Sequence, residues 1–368
     1  MTRQKHSPIG IDIGKDSIKL VQFRSRGDGL ALLAAGKLDA QFPSNGNGNG
    51  SAERAAFIKD LKKLLTRRKF GARRAVVALP ASDIDVRPLT LPSGKQDIAK
   101  MVRWEANSYL GYDAENAIID HIVLGEAKSA GETRLEVLAA AVEKDKVLNS
   151  LSLLSRAGII TEAVDIVPLA LCRLLRVSPG EADSAAAAVD IGAESTHAVI
   201  VDNQELRMSR TIDIGGDALT QAISTALEIN PKEAQALKHQ HGAGTVENVA
   251  RDPENPSEAG EPAPSYEVRK IAHIINDILR DKLNLLAEEL SKLLRYFSAQ
   301  NQGRRVNRVL LVGGAGSLKH LDTLLAKRLG AQVEVGAPIT RLTGQQSELK
   351  GGNEGAFAVA TGLALRGA

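Results

Sequence analysis

The chain has 368 residues, of which 43% are hydrophobic, 25% are charged and only 3% are aromatic. This length predicts about two domains with a mainly aliphatic core, and a net charge of +3 gives no support for nucleic-acid binding. One cysteine excludes an internal disulfide, and the lack of a signal peptide or an 18-residue apolar run (about the length that spans a bilayer) predicts a cytoplasmic protein.

The first part of the chain predicts a β-meander, a helix and a further strand. Apolar runs between glycine turns mark the strands, and apolar residues three or four apart mark the helix. The predicted strands are 9–13, 18–24, 30–38 and 75–80, and the predicted helix is 52–68. The Asn- and Gly-rich stretch 44–51 is predicted to be a flexible loop, because its order would cost too much conformational entropy.

A basic cluster follows the middle of this helix without an interleaved acid. Its members are Lys62, Lys63, Arg67, Arg68, Lys69, Arg73 and Arg74. A solvated helix face is one interpretation of such a cluster, and contact with anionic lipid head groups is the other.

Residues 81–163 predict a small α+β insertion. It contains a helix that starts near Ser93, and its other predicted elements are strands at 117–125 and 134–142 and a helix at 144–158. The apolar pattern of 164–176 predicts a helix that connects to the second half. We therefore expect two lobes, 1–176 and 177–368.

The second half repeats the order of the first, which indicates an internal duplication. The predicted strands are 185–192, 196–203 and 205–215, followed by a helix from Asp217, a solvated loop at 242–265 and a long helix at 266–300. Residues 308–335 predict a strand, a glycine turn, a helix and a strand. An Ala-rich helix closes the pattern at 354–366.

Two similar hairpins lie about half a chain apart. IGIDIGKDSIKL (9–20) and VDIGAESTHAVI (189–200) both run from a strand through Asp-Ile-Gly into small polar residues and a second strand. Glycine lets backbone amides approach phosphate oxygens, and an aspartate can hold Mg²⁺ through water. One such hairpin alone favours an ordinary β-turn, but two of them at matching positions predict a clamp around a polyphosphate. The glycines of VLLVGGAGSLKHL (309–321) add a third element, at the start of a helix.

The hairpins and the glycine turn resemble the phosphate and adenosine motifs of the actin-like ATPase superfamily. Within it, the chain is most similar to the PilM family of type IV pilus assembly, which RWEANSYLGYD (103–113) and LAEELSKLLRYF (286–297) also resemble. The match covers nearly the whole chain in order. It implies an α/β fold: a duplicated actin-like (ribonuclease H-like) domain in two lobes, with the α+β insertion in the first.

The resemblance also implies the ligand, ATP with Mg²⁺, and its contacts. Asp12, Gly14, Lys15 and Ser17 would form the first phosphate turn, and Asp190, Gly192, Ser195 and Thr196 the second. The further contacts would be Gly215, Gly216, Glu233, Lys238, Gly313, Gly314, Gly316 and Ser317. Asp12 and Asp190 would hold the metal through water. Lys15 as a solvated turn lysine, and Glu233 and Lys238 as an exposed helix face, remain the alternatives.

One departure from the family pattern concerns catalysis. Similar proteins place an acid in the first connecting helix where this chain has Val167, and Asp165 precedes it by two positions. Without a base to position water, we expect ATP binding with slow or no hydrolysis, as suits a scaffold. A sugar or acetate kinase of the same fold and an FtsA-like filament former are the alternatives, although the chain ends at ALRGA without FtsA's amphipathic tail.

The resemblance implies a partner as well: the short cytoplasmic tail of an inner-membrane pilus protein, similar to PilN. Association with the inner membrane would then be indirect, with self-association left open and no nucleic-acid partner. Ile84, Val86, Leu89 and Leu91 predict one apolar row on a strand, either as the groove for this tail or as the surface beneath the insertion's own helix.

Overall fold

The computed structural model describes residues 6–27, 29–43, 50–94, 97–129, 132–177, 185–243, 266–344 and 353–366. The predicted loop at 242–265, apart from residues 242 and 243, and most of the one at 44–51 therefore lie outside the described residues; Ala243 is buried rather than solvated. No helix in these ranges is long and apolar enough to cross a membrane.

Thirteen strands are assigned within the described part of the chain. They are β1 (Ile9–Ile13), β2 (Ile18–Arg26), β3 (Gly29–Leu38), β4 (Arg74–Ala78), β5 (Ile84–Pro92), β6 (Ala117–Ser129), β7 (Glu132–Glu143), β8 (Ile160–Asp165), β9 (Ala185–Ile191), β10 (Thr196–Asp202), β11 (Glu205–Ile212), β12 (Val306–Val312) and β13 (Gln332–Val335). The helices are α1 (Gly50–Arg67), α2 (Ile98–Asn107), α3 (Lys144–Arg156), α4 (Val167–Val177), α5 (Gly216–Leu227), α6 (Pro231–His241), α7 (Tyr266–Gln300), α8 (Leu321–Leu329), α9 (Pro338–Thr343) and α10 (Ala358–Ala364).

Two five-stranded sheets have the same strand order. The first sheet is β3-β2-β1-β4-β8 and the second is β11-β10-β9-β12-β13. In each, an antiparallel meander joins two parallel strands, and the register repeats. Asp12 of β1 lies opposite Lys19 and Ala78, while Asp190 of β9 lies opposite His197 and Val312. Both aspartates thus stand near the carboxyl end of the central strand, where the duplication predicts them.

The helices α4 and α10 lie between the two sheets and contact each other. Their backbones pass so close that a Cβ atom on Gly362 would lie 2.0 Å from the carbonyl oxygen of Ala170. On the first sheet, a Cβ atom on Gly10 would lie 1.9 Å from the carbonyl oxygen of Ala360. Glycine is therefore required at both crossings, since no side chain fits there.

A third sheet, β5-β7-β6, is inserted between β4 and α3. Leu89 and Leu91 pack beneath α2, whereas Ile84 and Val86 face the cores of the first sheet and of the layer between the sheets. The predicted single apolar row is wrong because the three-residue step from 86 to 89 reverses the side of a regular strand. The apolar residues of β5 are thus divided between two packed faces.

Two predicted helix starts also differ from the structure. The first inserted helix begins at Ile98 rather than near Ser93, because Asp97 caps it and the Ser93 hydroxyl donates instead to the carbonyl oxygen of Thr133. The connecting helix begins at Val167 rather than at residue 164. Residues 160–165 form β8, which pairs in parallel with β4, so the chain is back in the first sheet before the predicted end of the insertion at 163.

Candidate functional site

The two hairpin turns have the same backbone geometry. The amide of Gly14 donates to the carbonyl oxygen of Ser17 at 3.1 Å, and the amide of Gly192 donates to that of Ser195 at 2.9 Å. The second turn also docks on the start of α5, where the amides of Gly216 and Asp217 donate to the carbonyl oxygens of residues 192 and 193, each at 2.8 Å. A small-residue turn at a helix N-terminus is well suited to anionic oxygens.

Glycines around the second hairpin let backbone segments pack more closely than a side chain would allow. A Cβ atom on Gly215 would lie 2.3 Å from the carbonyl oxygen of Ala193. Gly313, with φ +90°, follows β12, and a Cβ atom there would lie 2.5 Å from Oδ1 of Asp190. Gly316 is equally restricted, whereas a Cβ atom on Gly314 would meet no atom within 4 Å. The glycine turn therefore lies directly against the second acid, with Gly314 facing open space.

Asp12 and Asp190 interact electrostatically across the hairpins. Burial raises the pKa of Asp12, an effect that the ammonium of Lys19, 3.6 Å from Oδ2, opposes. Burial and then the charge of Asp12 raise the pKa of Asp190 to about 7. Two buried carboxylates of like charge with one shared lysine make a site that is short of positive charge, as a divalent cation would require.

Lys15 links the tips of the two halves. Its ammonium lies 2.8 Å from Oδ2 of Asp217 and 3.2 Å from Oε1 of Glu194, and these contacts raise its pKa to about 12. Sequence reasoning missed Glu194, Asp217 and also Lys19. Strand register was the available signal for Lys19, because a tight hairpin places it opposite Asp12; only the folded structure brings the acids to Lys15.

Lys238 is buried beneath the first turn of α5. Its ammonium donates to the carbonyl oxygen of Gly216 at 2.8 Å and to Oγ1 of Thr220 at 2.7 Å, and burial lowers its pKa. The exposed-face alternative is therefore wrong for Lys238. Glu233, one helical turn earlier on α6, does have an exposed side chain.

The remaining hydroxyl side chains that were predicted to contact the nucleotide differ in their burial. Thr196 is fully buried and its hydroxyl donates to the carbonyl oxygen of Ile214 at 2.6 Å, so its role in the structure is to close the second hairpin. Ser17 is buried, Ser195 is half-buried and Ser317 is exposed after the glycine turn. Direct contacts or the interaction of the two acids join Asp12, Asp190, Gly192, Gly215, Gly216, Lys238 and Gly313, and Lys15 reaches this group through Asp217.

The place of the expected catalytic acid contains no free carboxylate. Val167 packs in the layer between the sheets. Asp165 is buried, and its Oδ2 accepts from Arg173 at 2.6 Å and from Arg366 at 3.0 Å. A carboxylate held by two guanidinium groups is a structural ion pair, so Asp165 is not free to position a water molecule.

The residues fit a nucleotide with a divalent cation. Among the described residues, no group of three or more His, Cys, Asp or Glu side chains could hold a metal by itself. Asp12 and Asp190 would therefore hold the cation through water, with phosphate oxygens completing the shell. The hairpin amides and Lys15 are the groups that would face phosphate.

A second concave feature lies between the inserted sheet and the second sheet. This groove, of about 330 Å³, is bounded by β6, α4 and the start of β11. Ile122, Val123, Leu124, Leu169, Cys172 and Leu206 supply apolar surface, while Arg173, Arg176 and Glu205 supply charges. Val123 is 48% exposed. The charged side chains already have partners, since Arg173 pairs with Asp165 and Glu205 with Arg207, so the exposed apolar part of the groove is mainly Val123.

Two sheets with the same strand order, each with an acidic hairpin at the carboxyl end of its central strand, define a protein of the actin-like ATPase fold. Solved structures with this fold are similar to the chain. The PilM-PilN type IV pilus biogenesis complex is similar at 26% identity and TM-score 0.72, with 98% of both chains covered. The ethanolamine utilization protein EutJ from Carboxydothermus hydrogenoformans has 15% identity and TM-score 0.55, with 98% of this chain and 89% of that chain covered. The predicted fold is thus confirmed.

The sequence-family model of the type IV pilus assembly protein PilM matches residues 10–249 of this chain. The chain therefore belongs to the PilM family. The model of the cell division protein FtsA matches residues 187–362. FtsA of Escherichia coli K12 is 30% identical over 44% of this chain, and that match spans only 39% of the FtsA length. FtsA of Enterococcus hirae is 24% identical over 90% of this chain and 78% of its own length.

Proposed function

We propose that this PilM-family protein is an ATP-binding scaffold whose two lobes, 1–176 and 177–368, close on ATP and Mg²⁺. The observation that carries this proposal is the pair of buried acids, Asp12 and Asp190, set beside two glycine turns. Their amides and Lys15 would neutralise the phosphates, and the acids would hold the cation through water. The cation would lower the repulsion between the two carboxylates.

The test of the clamp is calorimetric titration with ATP, with and without Mg²⁺. Asp12→Ala should remove most of the Mg²⁺ dependence and weaken binding by roughly 1–3 kcal/mol, the usual cost of a lost charged contact. Asp16→Ala is the matched control, since Asp16 is exposed at the tip of the same hairpin. Equal ATP affinity of both variants and the parent would exclude the clamp.

We expect this site to hold ATP with little turnover. Val167 offers no base and Asp165 is neutralised by Arg173 and Arg366. A sugar or acetate kinase needs a base for the acceptor hydroxyl. The described residues of the connecting helix offer no free carboxylate for this role, which supports a scaffold over such a kinase. A coupled kinase assay over a sugar panel would contradict the scaffold if any sugar were phosphorylated.

The FtsA match favours a second candidate, a filament former. Sedimentation of the protein with and without ATP separates the two functions. A nucleotide-dependent pellet would support the filament, and protein that stays in the supernatant would support the scaffold.

The partner that we propose is the cytoplasmic tail of a PilN-like inner-membrane protein, with the protein peripheral to that membrane. The similarity to a PilM chain solved with PilN supports this class of partner. We place the tail in the groove between β6, α4 and β11, because its apolar surface and charged side chains suit an extended peptide and Val123 is open to solvent.

Fluorescence anisotropy with a labelled PilN tail peptide tests this placement. Val123→Glu should abolish binding, since it introduces a charge into the apolar groove. Ile118→Glu is the control, because Ile118 is similarly exposed on the same strand but lies outside the groove. Equal loss in both variants, or in neither, would exclude this groove. Point variants are preferable to deletion of 81–163, which would remove core residues of α3 and most of β8, the strand that pairs with β4.

A further inference from the structure

The edge of the first sheet opposite the hairpin turns brings several basic segments together. β1, β4 and β8 are parallel, so all three begin at this edge, and β2 ends there because it runs antiparallel to β1. The helices α1 and α3 end at the same edge, since short connections carry the chain from them into β4 and β8. The amide of Ile160 donates to the carbonyl oxygen of Arg73 at 2.8 Å, which ties these connections together.

Six exposed cations lie on these segments, and we call them the basal surface. They are Arg24, Arg26, Arg67, Arg68, Lys69 and Arg156. None has an acid within 4 Å among the residues that the structure describes. At the same edge, Glu162 is already paired with Arg74 at 2.9 Å. Among the residues that the structure describes, the six cations of the basal surface therefore have no ion-pair partner.

The net charge of the whole chain shows how unevenly the positive charge is distributed. The formal net charge is +3, so the residues outside the basal surface together carry −3 once its six cations are set aside. A molecule divided in this way approaches a negative surface with one preferred face.

An apolar residue accompanies these cations. Ile160 is 64% exposed and lies at the first position of β8, opposite Arg74. Cations on the same edge as an exposed aliphatic side chain suit a bilayer surface, where the charges meet head groups and the aliphatic group enters the interface. Nucleic acid is a poorer fit, because the aromatic residue of the connection, Phe70, is buried and cannot stack on bases.

We propose that the basal surface binds the anionic head groups of a phospholipid bilayer directly. The first sheet then stands on the membrane by this edge, and its hairpin turns face away from the membrane. Binding is independent of the tail groove, which lies beside α4 and β11 rather than at this edge. A direct lipid contact would add to any contact made through a membrane protein.

Vesicle co-sedimentation of the full chain tests the proposal, with equimolar phosphatidylglycerol and phosphatidylcholine against phosphatidylcholine alone. The parent should bind only the anionic vesicles and be released by salt. A variant with Arg24, Arg26, Arg67 and Arg156 replaced by Gln should lose about fivefold in partition per cation, hence several hundredfold in total. The matched control replaces Lys100, Lys232, Lys282 and Lys327, which are exposed elsewhere, and should change partition far less.

Ile160→Ser distinguishes lipid from other polyanions. It should weaken vesicle binding severalfold and leave any retention on heparin unchanged, since only a bilayer accepts the aliphatic side chain. Urea unfolding of each variant verifies the fold. Equal vesicle binding by the basal and control variants would overturn the proposal. It would also be overturned by parent binding to phosphatidylcholine alone, or by an effect of Ile160→Ser on heparin equal to its effect on vesicles.

Discussion

The buried carboxylate of Asp190 should destabilise the nucleotide-free protein at neutral and alkaline pH. Its pKa is about 7 in the fold, against 3.8 for a free side chain, because burial and the charge of Asp12 oppose its ionisation. The folded state therefore binds more protons than the unfolded state between these values. The free energy of unfolding then falls as pH rises from about 4 to about 7 and levels off above that pH.

Asp190→Asn removes the ionisable group while keeping its shape. A pKa displaced from 3.8 to about 7 corresponds to on the order of 4 kcal/mol at pH 8. At pH 5 the same group costs on the order of 1–2 kcal/mol. The variant should therefore be more stable than the parent, and the difference should grow by roughly 2–3 kcal/mol between these pH values. The same variant should bind Mg²⁺-ATP less well.

Urea unfolding of the parent and of Asp190→Asn across this pH range, without nucleotide, is the measurement. Asp16→Asn serves as the control, because Asp16 is exposed on the neighbouring hairpin and should leave the pH profile parallel to that of the parent. A difference between Asp190→Asn and the parent that stays constant with pH would refute the electrostatic argument.

Three further substitutions test separate parts of the molecule. Gly362→Ala should lower the free energy of unfolding by roughly 1–3 kcal/mol, because its Cβ atom would lie 2.0 Å from the carbonyl oxygen of Ala170. The control Gly94→Ala should have little effect, because a Cβ atom there meets open space. Urea unfolding of both variants is the measurement. Lys15→Ala should cost less than about 1 kcal/mol of stability, since its pairs are exposed, yet should weaken ATP binding in calorimetry. Val167→Glu should raise steady-state ATP hydrolysis above that of the parent in a phosphate-release assay; unchanged turnover would contradict the placement of the missing acid.

The duplicated pattern made much of the fold predictable. Apolar runs ending in Asp-Ile-Gly identified β1 and β9, and helical spacing identified α7 with its observed bounds. β8 was missed because six residues of moderate hydrophobicity are recognisable as a strand only through their partner β4, which is distant in sequence. The pairing of Asp165 with Arg173 and Arg366 was unpredictable for a similar reason, since Arg366 is near the other end of the chain.

The strand register is the same in the two halves, but the residue opposite the aspartate differs in charge, so the two halves are not equivalent. Lys19 and His197 occupy corresponding positions opposite the two acids, but burial lowers the pKa of His197 to about 4, so this histidine is neutral at physiological pH. Asp12 thus has a cation opposite it in its own hairpin, whereas Asp190 has none in its own hairpin and shares Lys19 with Asp12. A chain built from two copies of the first half would place a lysine beside both acids, and the demand for an incoming cation would disappear.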